Sequence, residues 1–385
     1  MGINTKIEWT GTIAPDGTML PGFTYNPWYG CAKPKLTAAG ECLSCYAETL
    51  MDTRYGKAKW GPMGTRVLKA EKAWREPLQW NARAEKLGIK FKVFCASLSD
   101  FFEGPETCRD PEQYKNIEVG RKRTFELIEK TPNLIWQLLT KRPENVLKFV
   151  PDHWLERPVV HTHFDHKRAK PEVTEAFSKL VHLAYKSHTG HDFGFPDNVW
   201  IGTSAGTQKS ADVLIPALLE IPAKVRFVSC EPLLEKIDLR KYMCEHYLHE
   251  TGPESNMFYC KICQASDQNH DLYINQIDWV ICGGESGPNA RPMLLDWARD
   301  LKKQCEVTKT PYFFKQNGAW EEEKYKRPGK NGFEYDGKKI HFFDYDGKPA
   351  DGLTGRVVPM VRVPGKGSNL LDGQLFQQLP DTTNF

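Results

Sequence analysis

The sequence predicts an α/β fold: a partial or complete (β/α) barrel with two insertions and a small β-rich C-terminal tail. Three observations predict it. Short, nearly continuous apolar runs recur along the chain, as in strands buried on both faces of a parallel sheet. Helix candidates separate several of them, the alternation expected of α/β folds. The length, 385 residues, suits one large barrel or two smaller domains, and no internal repeat is present. The alternative compatible with the same pattern is an open doubly wound sheet.

The first strand is expected near Phe23–Trp28. Six more follow at Lys92–Ser97, Leu134–Thr140, Val199–Thr203, Val225–Cys230, Asp278–Gly283 and Pro311–Lys315. Helix candidates run over Arg121–Lys130, Ala211–Leu219 and Leu295–Glu306. Two segments break this rhythm inside a barrel spanning residues 1–318. Residues 151–197 hold seven of the eleven histidines, including His161, His163 and His166, and read as a solvated insertion. Residues 240–275 hold Cys244, His246, His249, Cys260, Cys263 and His270, and read as a second. Residues 319–385 are rich in Gly, Asp and Lys, with hairpin-like Tyr335-Asp336-Gly337 and Tyr345-Asp346-Gly347.

Composition excludes several classes. Lys plus Arg is 52 against 49 for Asp plus Glu, so a net charge of +3 argues against a basic nucleic-acid coat but permits a local basic groove. A hydrophobic content of 40% argues against global disorder. No run of about 18 apolar residues exists, so no membrane span is expected. The N-terminus lacks an apolar signal region, which predicts a cytoplasmic protein. Its eleven cysteines are then expected as metal ligands or buried thiols rather than disulfides.

The strand ends are polar: Ser97-Leu98-Ser99-Asp100, Thr140-Lys141-Arg142, Thr203-Ser204, Cys230-Glu231-Pro232, Gly283-Gly284-Glu285-Ser286 and Lys315-Gln316-Asn317. Parallel α/β folds bind ligands at the carboxyl ends of strands, so these six clusters predict one shared site.

Cys31, Cys42 and Cys45 lie in one loop, where Gly30, Pro34 and Gly40 let the chain fold back. A closed zinc site needs four ligands. No histidine precedes His153, and the next cysteine, Cys95, falls on a strand. Three thiolates with an open position suit a 4Fe-4S cluster with one unligated iron; a structural zinc is the alternative. Cys260-Lys-Ile-Cys263 has zinc-knuckle spacing, and Cys244 with His249 would complete a structural zinc in the second insertion. Reduced surface cysteines or a second cluster are the other readings there.

A resemblance narrows these options. Asn26-Pro27-Trp28-Tyr29-Gly30-Cys31, Cys42-Leu-Ser-Cys45-Tyr46-Ala47-Glu48, Leu139-Thr140-Lys141-Arg142-Pro143, Trp200-Ile201-Gly202-Thr203-Ser204, Phe227-Val228-Ser229-Cys230-Glu231-Pro232-Leu233 and Gly283-Gly284-Glu285-Ser286-Gly287 resemble blocks of the phage-associated three-Cys-motif family. Those bacteriophage proteins are related to the radical S-adenosylmethionine (SAM) enzymes. Arg291-Pro292-Met293, Phe313-Phe314-Lys315-Gln316 and Leu370-Leu371-Asp372-Gly373 extend the match. The ten residues between Cys31 and Cys42 depart from the general radical SAM pattern, which has three.

The resemblance implies a barrel of the radical SAM type and a cytoplasmic setting in a phage-infected or prophage-carrying bacterium. Cys31, Cys42 and Cys45 would hold a 4Fe-4S cluster whose open iron binds the amino and carboxylate groups of SAM. One electron, from a donor such as flavodoxin or ferredoxin, would cleave SAM to methionine and a 5′-deoxyadenosyl radical that takes a substrate hydrogen. By position, Tyr46 would pack beside the cluster or adenine. Ser97, Ser99 and Asp100 would take the methionine ammonium, and Lys141 or Arg142 its carboxylate. Thr203 and Ser204 would meet the ribose, and Gly283 and Gly284 the adenine. Glu231, Glu285, Lys315, Arg291 and Gln316 would face substrate. The phage association implies DNA or a modified nucleobase as substrate, with an isomerase acting on an amino-acid-decorated pyrimidine as one such reaction. The other functions compatible with the sequence are a non-catalytic zinc-dependent nucleic-acid-binding module and a radical SAM enzyme acting on a small metabolite or peptide.

Overall fold

All seven apolar runs are strands of one parallel sheet in the computed structural model. They are β1 (Phe23–Tyr25), β2 (Phe91–Cys95), β3 (Leu134–Thr140), β4 (Val199–Ser204), β5 (Val225–Cys230), β6 (Trp279–Gly283) and β7 (Tyr312–Gln316). Their order across the sheet is their order in the chain, with β1 and β7 at its edges. The order never reverses, so the doubly wound alternative does not apply. The sheet is a curled half-barrel, a partial (β/α) barrel. The structure describes residues 5, 7–38, 40–155, 194–243, 276–322, 338–350 and 357–380, with short strands at 249–250, 258–259, 266–267 and 334–335. Most of the histidine-rich segment, including His161, His163 and His166, lies outside the described residues.

Among the described residues, four helices of twelve residues or more pack on the outside. They are α1 (Glu76–Leu87), α2 (Pro111–Glu129), α3 (Gln208–Leu219) and α4 (Leu295–Thr308). The start of α2 is set by Asp110, whose side chain accepts from the Glu112 and Gln113 N–H groups, and by Pro111 at the first position. Thr207 and Ser210 cap α3 reciprocally. Ala211, Leu214, Ile215 and Leu218 then form the buried stripe of α3 at helical spacing.

Strand alternation divides the core in two. Residues such as Val93, Trp136, Ile201, Val228, Val280 and Phe314 join the core that also includes the helix residues. Their strand neighbours Phe94, Ile135, Trp200, Phe227, Trp279, Ile281 and Phe313 form a separate cluster with Trp9, and this fills the concave side. The Trp9 ring lies 4.7 Å from Phe94 and 6.1 Å from Trp279. The N-terminal segment therefore plugs the half-barrel with an aromatic side chain. The C-terminal segment lines the β7 edge: Phe314 N–H donates to Phe376 O and Gln378 N–H to Tyr312 O. The two ends meet where Gln377 Nε2 donates to Glu8 Oε2 at 2.8 Å.

A C-terminal antiparallel sheet contains β8 (Trp320–Glu322), β9 (Lys338–Phe343), β10 (Pro349–Ala350) and β11 (Val358–Arg362). β11 lies between β8 and β9, and β9 also pairs with β10. The turn at Tyr345–Gly347 is the expected hairpin, since Phe343 pairs with Pro349. Within residues 240–275, short strands at His249–Glu250, Phe258–Tyr259 and Ser266–Asp267 pair antiparallel. His249 sits opposite Tyr259, the residue before Cys260. Cys244, His246, Cys260, Cys263 and His270 lie outside the described residues.

Candidate functional site

The inner face becomes polar toward the carboxyl ends of the strands, where a cavity of about 400 Å³ opens. Trp9, Phe94 and Leu139 supply apolar lining. Cys31, Cys42, Cys45 and Tyr46 line it from the loop after β1, with Ser97, Ser99 and Asp100 from the end of β2. Lys141, Ser204, Glu231, Gly284, Glu285, Lys315 and Gln316 arrive from the later strand ends. Residues from all seven strand ends or the loops after them thus meet in one space.

The three cysteines are free thiols. Cys31 Sγ contacts Ala32 O at 3.3 Å, and Cys42 Sγ lies 3.2 Å from Thr37 Oγ1. Burial, and then the Glu103 carboxylate, push the Cys31 thiol pKa up. Burial also raises the Cys45 thiol, against the Glu48 N–H and the Lys141 charge. Among the described residues, no three His, Cys, Asp or Glu side chains are already drawn together as a metal-binding group. The donor chemistry suits a thiophilic metal centre, and two buried polar atoms in the cavity lining, Ser99 Oγ and Trp9 Nε1, have no hydrogen-bond partner. Thiols and unpaired polar atoms around one cavity fit a cluster with a polar ligand beside it, provided the loop draws its thiols together.

Buried charges frame Cys31. Arg66 forms two bonds to Glu103, at 2.8 and 2.7 Å, and both side chains are fully buried. Burial opposes the Arg66 charge, but the Glu103 bonds more than offset it and its pKa is raised. Glu103 Oε1 accepts the Ala32 N–H at 2.9 Å, and Gly61 N–H donates to Cys31 O at 3.0 Å. Arg142 donates to Ala32 O and, at 2.7 Å, to Asp100 Oδ2. Burial alone would raise the Asp100 carboxyl. The Arg142 charge, the Thr140 hydroxyl and the Lys141 N–H hold it below its usual range instead.

Arg142 and Asp100, expected at opposite ends of the methionine group, therefore bind each other. Arg142 lies outside the cavity lining, whereas Asp100 reaches its wall. Thr203 is fully buried and donates to Thr140 O at 2.9 Å, bracing adjacent strands rather than facing the ribose position. Lys141 remains at the cavity, with Nζ 3.2 Å from Ser204 Oγ. Tyr46 donates to Ser97 O at 2.6 Å and is 57% exposed, so it stands at the rim.

A second set of bonds holds the other end of the cysteine loop. Glu41 accepts from Gly206 N–H at 2.7 Å and from the Ser210 hydroxyl, at the N-terminus of α3. Arg291 donates to Gly40 O at 2.9 Å and grips Glu285 through Nε and Nη2, at 2.9 and 2.8 Å. Glu285, expected to face substrate, is thus committed to Arg291 and through it to the loop. Sequence reading missed Glu41, Arg66 and Glu103.

Lys315 pairs with Glu231 at 2.8 Å. The β6–β7 register slips after Cys282, where Gly283 pairs with Gln316, so Lys315 stands in a bulge. A Cβ at Gly283 would lie 2.8 Å from Glu231 Oε1, and one at Gly284 2.0 Å from Asn317 O. Gly284 lines the cavity, while Gly283 makes room for the Glu231–Lys315 pair beside it. No helix among the described residues is long and apolar enough to cross a membrane.

A family model described as "Protein of unknown function (DUF5131)" matches residues 4–380. No curated protein and no solved structure matches the chain.

Proposed function

The chain belongs to the DUF5131 family, and on the resemblance of its cysteine and strand-end blocks we propose that it is a radical SAM enzyme with a barrel of that type. Cys31, Cys42 and Cys45 would hold a 4Fe-4S cluster. The observation that carries the reading is three free thiols lining one cavity at the carboxyl end of a parallel half-barrel. When bound, the cluster supplies one-electron reductive cleavage of SAM, with the electron coming from a flavodoxin- or ferredoxin-like donor. Ser97, Ser99, Lys141 and Ser204 are the cavity groups that would orient SAM. The Glu231–Lys315 pair would face a polar substrate, and the apolar floor would exclude water. The substrate class we favour is a nucleobase of DNA or its modified derivative, with an isomerase-type outcome. A zinc held by Cys244, His249, Cys260 and Cys263 would organise the second insertion.

Anaerobic reconstitution tests the assignment. The wild-type protein should gain about four irons per chain and a brown colour, and should convert SAM to 5′-deoxyadenosine. Cys31→Ala, Cys42→Ala and Cys45→Ala should each abolish both. Near-full iron and 5′-deoxyadenosine from any one variant would sink the reading. Tight zinc in the trio without iron would favour the zinc-dependent binding module instead. Zinc analysis of a Cys260→Ser/Cys263→Ser double variant checks the insertion: its zinc should be lost while the cluster stays.

A further inference from the structure

A second cavity, of about 790 Å³, lies between the barrel mouth and the C-terminal sheet. Its lining contains Arg291, Lys339, His341 and Arg362, and none of its described lining residues is Asp or Glu. Arg291 is neutralised by Glu285. Arg362 donates to the Gly287 carbonyl at 2.8 Å and to the Pro288 carbonyl, and both bonds use Nη2. A guanidinium offers five N–H donors, so this arginine keeps donors in excess of those bonds. Arg362 also lies over the Trp320 ring, 5.7 Å from its centroid, and His341 meets the same ring edge-on at 5.1 Å. Trp320 is fixed by an Nε1 bond to Ala290 O at 2.7 Å. One guanidinium and an imidazole are therefore organised around one anchored indole, and Lys339 lines the same groove. Burial, followed by the charges of Lys339 and Arg362, pushes the His341 imidazole pKa down.

Apart from Thr207 and glycines, the rest of the lining is apolar, with Phe342, Pro292 and Pro349 among it. Among the described residues no carboxylate pairs with Lys339 or Arg362, and such cations concentrate anions in a groove. Arginine forks match phosphate oxygens, and flat apolar walls suit the face of a base. The volume falls within the range of small-molecule sites.

We propose that this groove binds the phosphate-bearing part of a nucleotide, free or within a single strand, through Lys339, His341 and Arg362. Gly40 lines this groove while its neighbours Glu41 and Cys42 line the cysteine cavity, so one turn of chain separates the two spaces. The inference deepens the nucleobase part of the function proposed above, and nucleotide binding itself requires no cluster.

The test uses the full chain without reconstitution. Fluorescence anisotropy follows a labelled oligothymidylate of about twelve nucleotides. The competitors are unlabelled oligomer, thymidine 5′-monophosphate, thymidine and a hexaglutamate peptide. The oligomer should bind, with affinity falling as salt rises. Lys339→Gln and Arg362→Gln should each weaken binding about tenfold. Lys339→Gln should also lower the salt slope by about 0.7. Circular dichroism and thermal melting confirm that both variants fold, and Lys339 is the cleaner position because its side chain is exposed. Competition by the monophosphate assigns the site to free nucleotides. Competition by the oligomer alone assigns it to a strand. Absence of nucleotide binding, wild-type affinity in the folded Lys339→Gln variant, or equal competition by hexaglutamate overturns the proposal. A protein that binds nucleotide but never cleaves SAM would leave this inference standing and remove the enzymatic one.

Discussion

The two ends of the cysteine loop are held in different ways. Cys31 is flanked by a network of Arg66, Glu103, Arg142 and Asp100 that is almost entirely buried. Cys42 and Cys45 follow a segment held by Glu41 on α3 and by Arg291, whose side chain is 28% exposed. Beyond it the chain turns outward, with Leu43 and Tyr46 both more than half exposed. The first end is a fixed post in a low-dielectric frame, where every charge has a partner. The second is an arm tied at fewer points. If the thiols gather around a cluster, the arm is the part that moves, because moving the post would break paired charges in the interior.

Breaking the post should have the largest effect. Glu103→Gln leaves Arg66 as a buried charge without its counterion, and should cost about 3–5 kcal/mol. Denaturant unfolding measures this. A loss below about 1 kcal/mol would mean that water reaches the network and that the post is not fixed.

Loosening the arm at Glu41 should be milder. Glu41→Gln keeps the side-chain shape but removes the carboxylate from the N-terminus of α3, at a cost of about 1–2 kcal/mol. Iron uptake should slow while its final level is kept. A variant that never reaches wild-type iron would show that Glu41 sets the cluster geometry rather than its rate of assembly.

The smallest stability change belongs to Glu285→Gln, about 1 kcal/mol after discounting for solvent near Arg291. The fold, the cluster and SAM binding should survive. Turnover of substrate should fall while slow uncoupled SAM cleavage continues. Loss of SAM binding would place Glu285 in the cofactor site. A stability loss with full turnover would leave it only the role of clamping Gly40.

The strands were legible because each is buried on both faces and so reads as an unbroken apolar run. Helix α1 was not, since Glu76–Leu87 buries only Pro77, Trp80 and Ala84 and surrounds them with charged residues such as Glu76, Arg83, Glu85 and Lys86. At the site, the strand-end rule predicted which polar residues approach one another but not which of them bond. Asp100 and Arg142 end adjacent strands and satisfy each other, a pairing that opposite charges at matching strand ends could have suggested. Arg66 and Glu103 are 37 positions apart and sit in loops, while Arg291 reaches Gly40 across 251 positions. Neither contact has a local spacing signal. Glu41 looked like an ordinary loop residue between Gly40 and Cys42, and only the three-dimensional approach of α3 gives its charge a partner.

The contact between Glu8 and Gln377 has a consequence for synthesis. A ribosome releases residue 8 long before residue 377, so Trp9 can dock into the half-barrel while the β7 edge is still uncovered. That edge exposes unpaired backbone N–H and C=O groups, the kind of surface on which nascent chains pair with one another. A segment made about sixty residues after β7, Phe376–Gln378, is the one that covers it. A polypeptide released before residue 376 would thus carry all seven strands yet stay open along one seam, and be prone to aggregate through it.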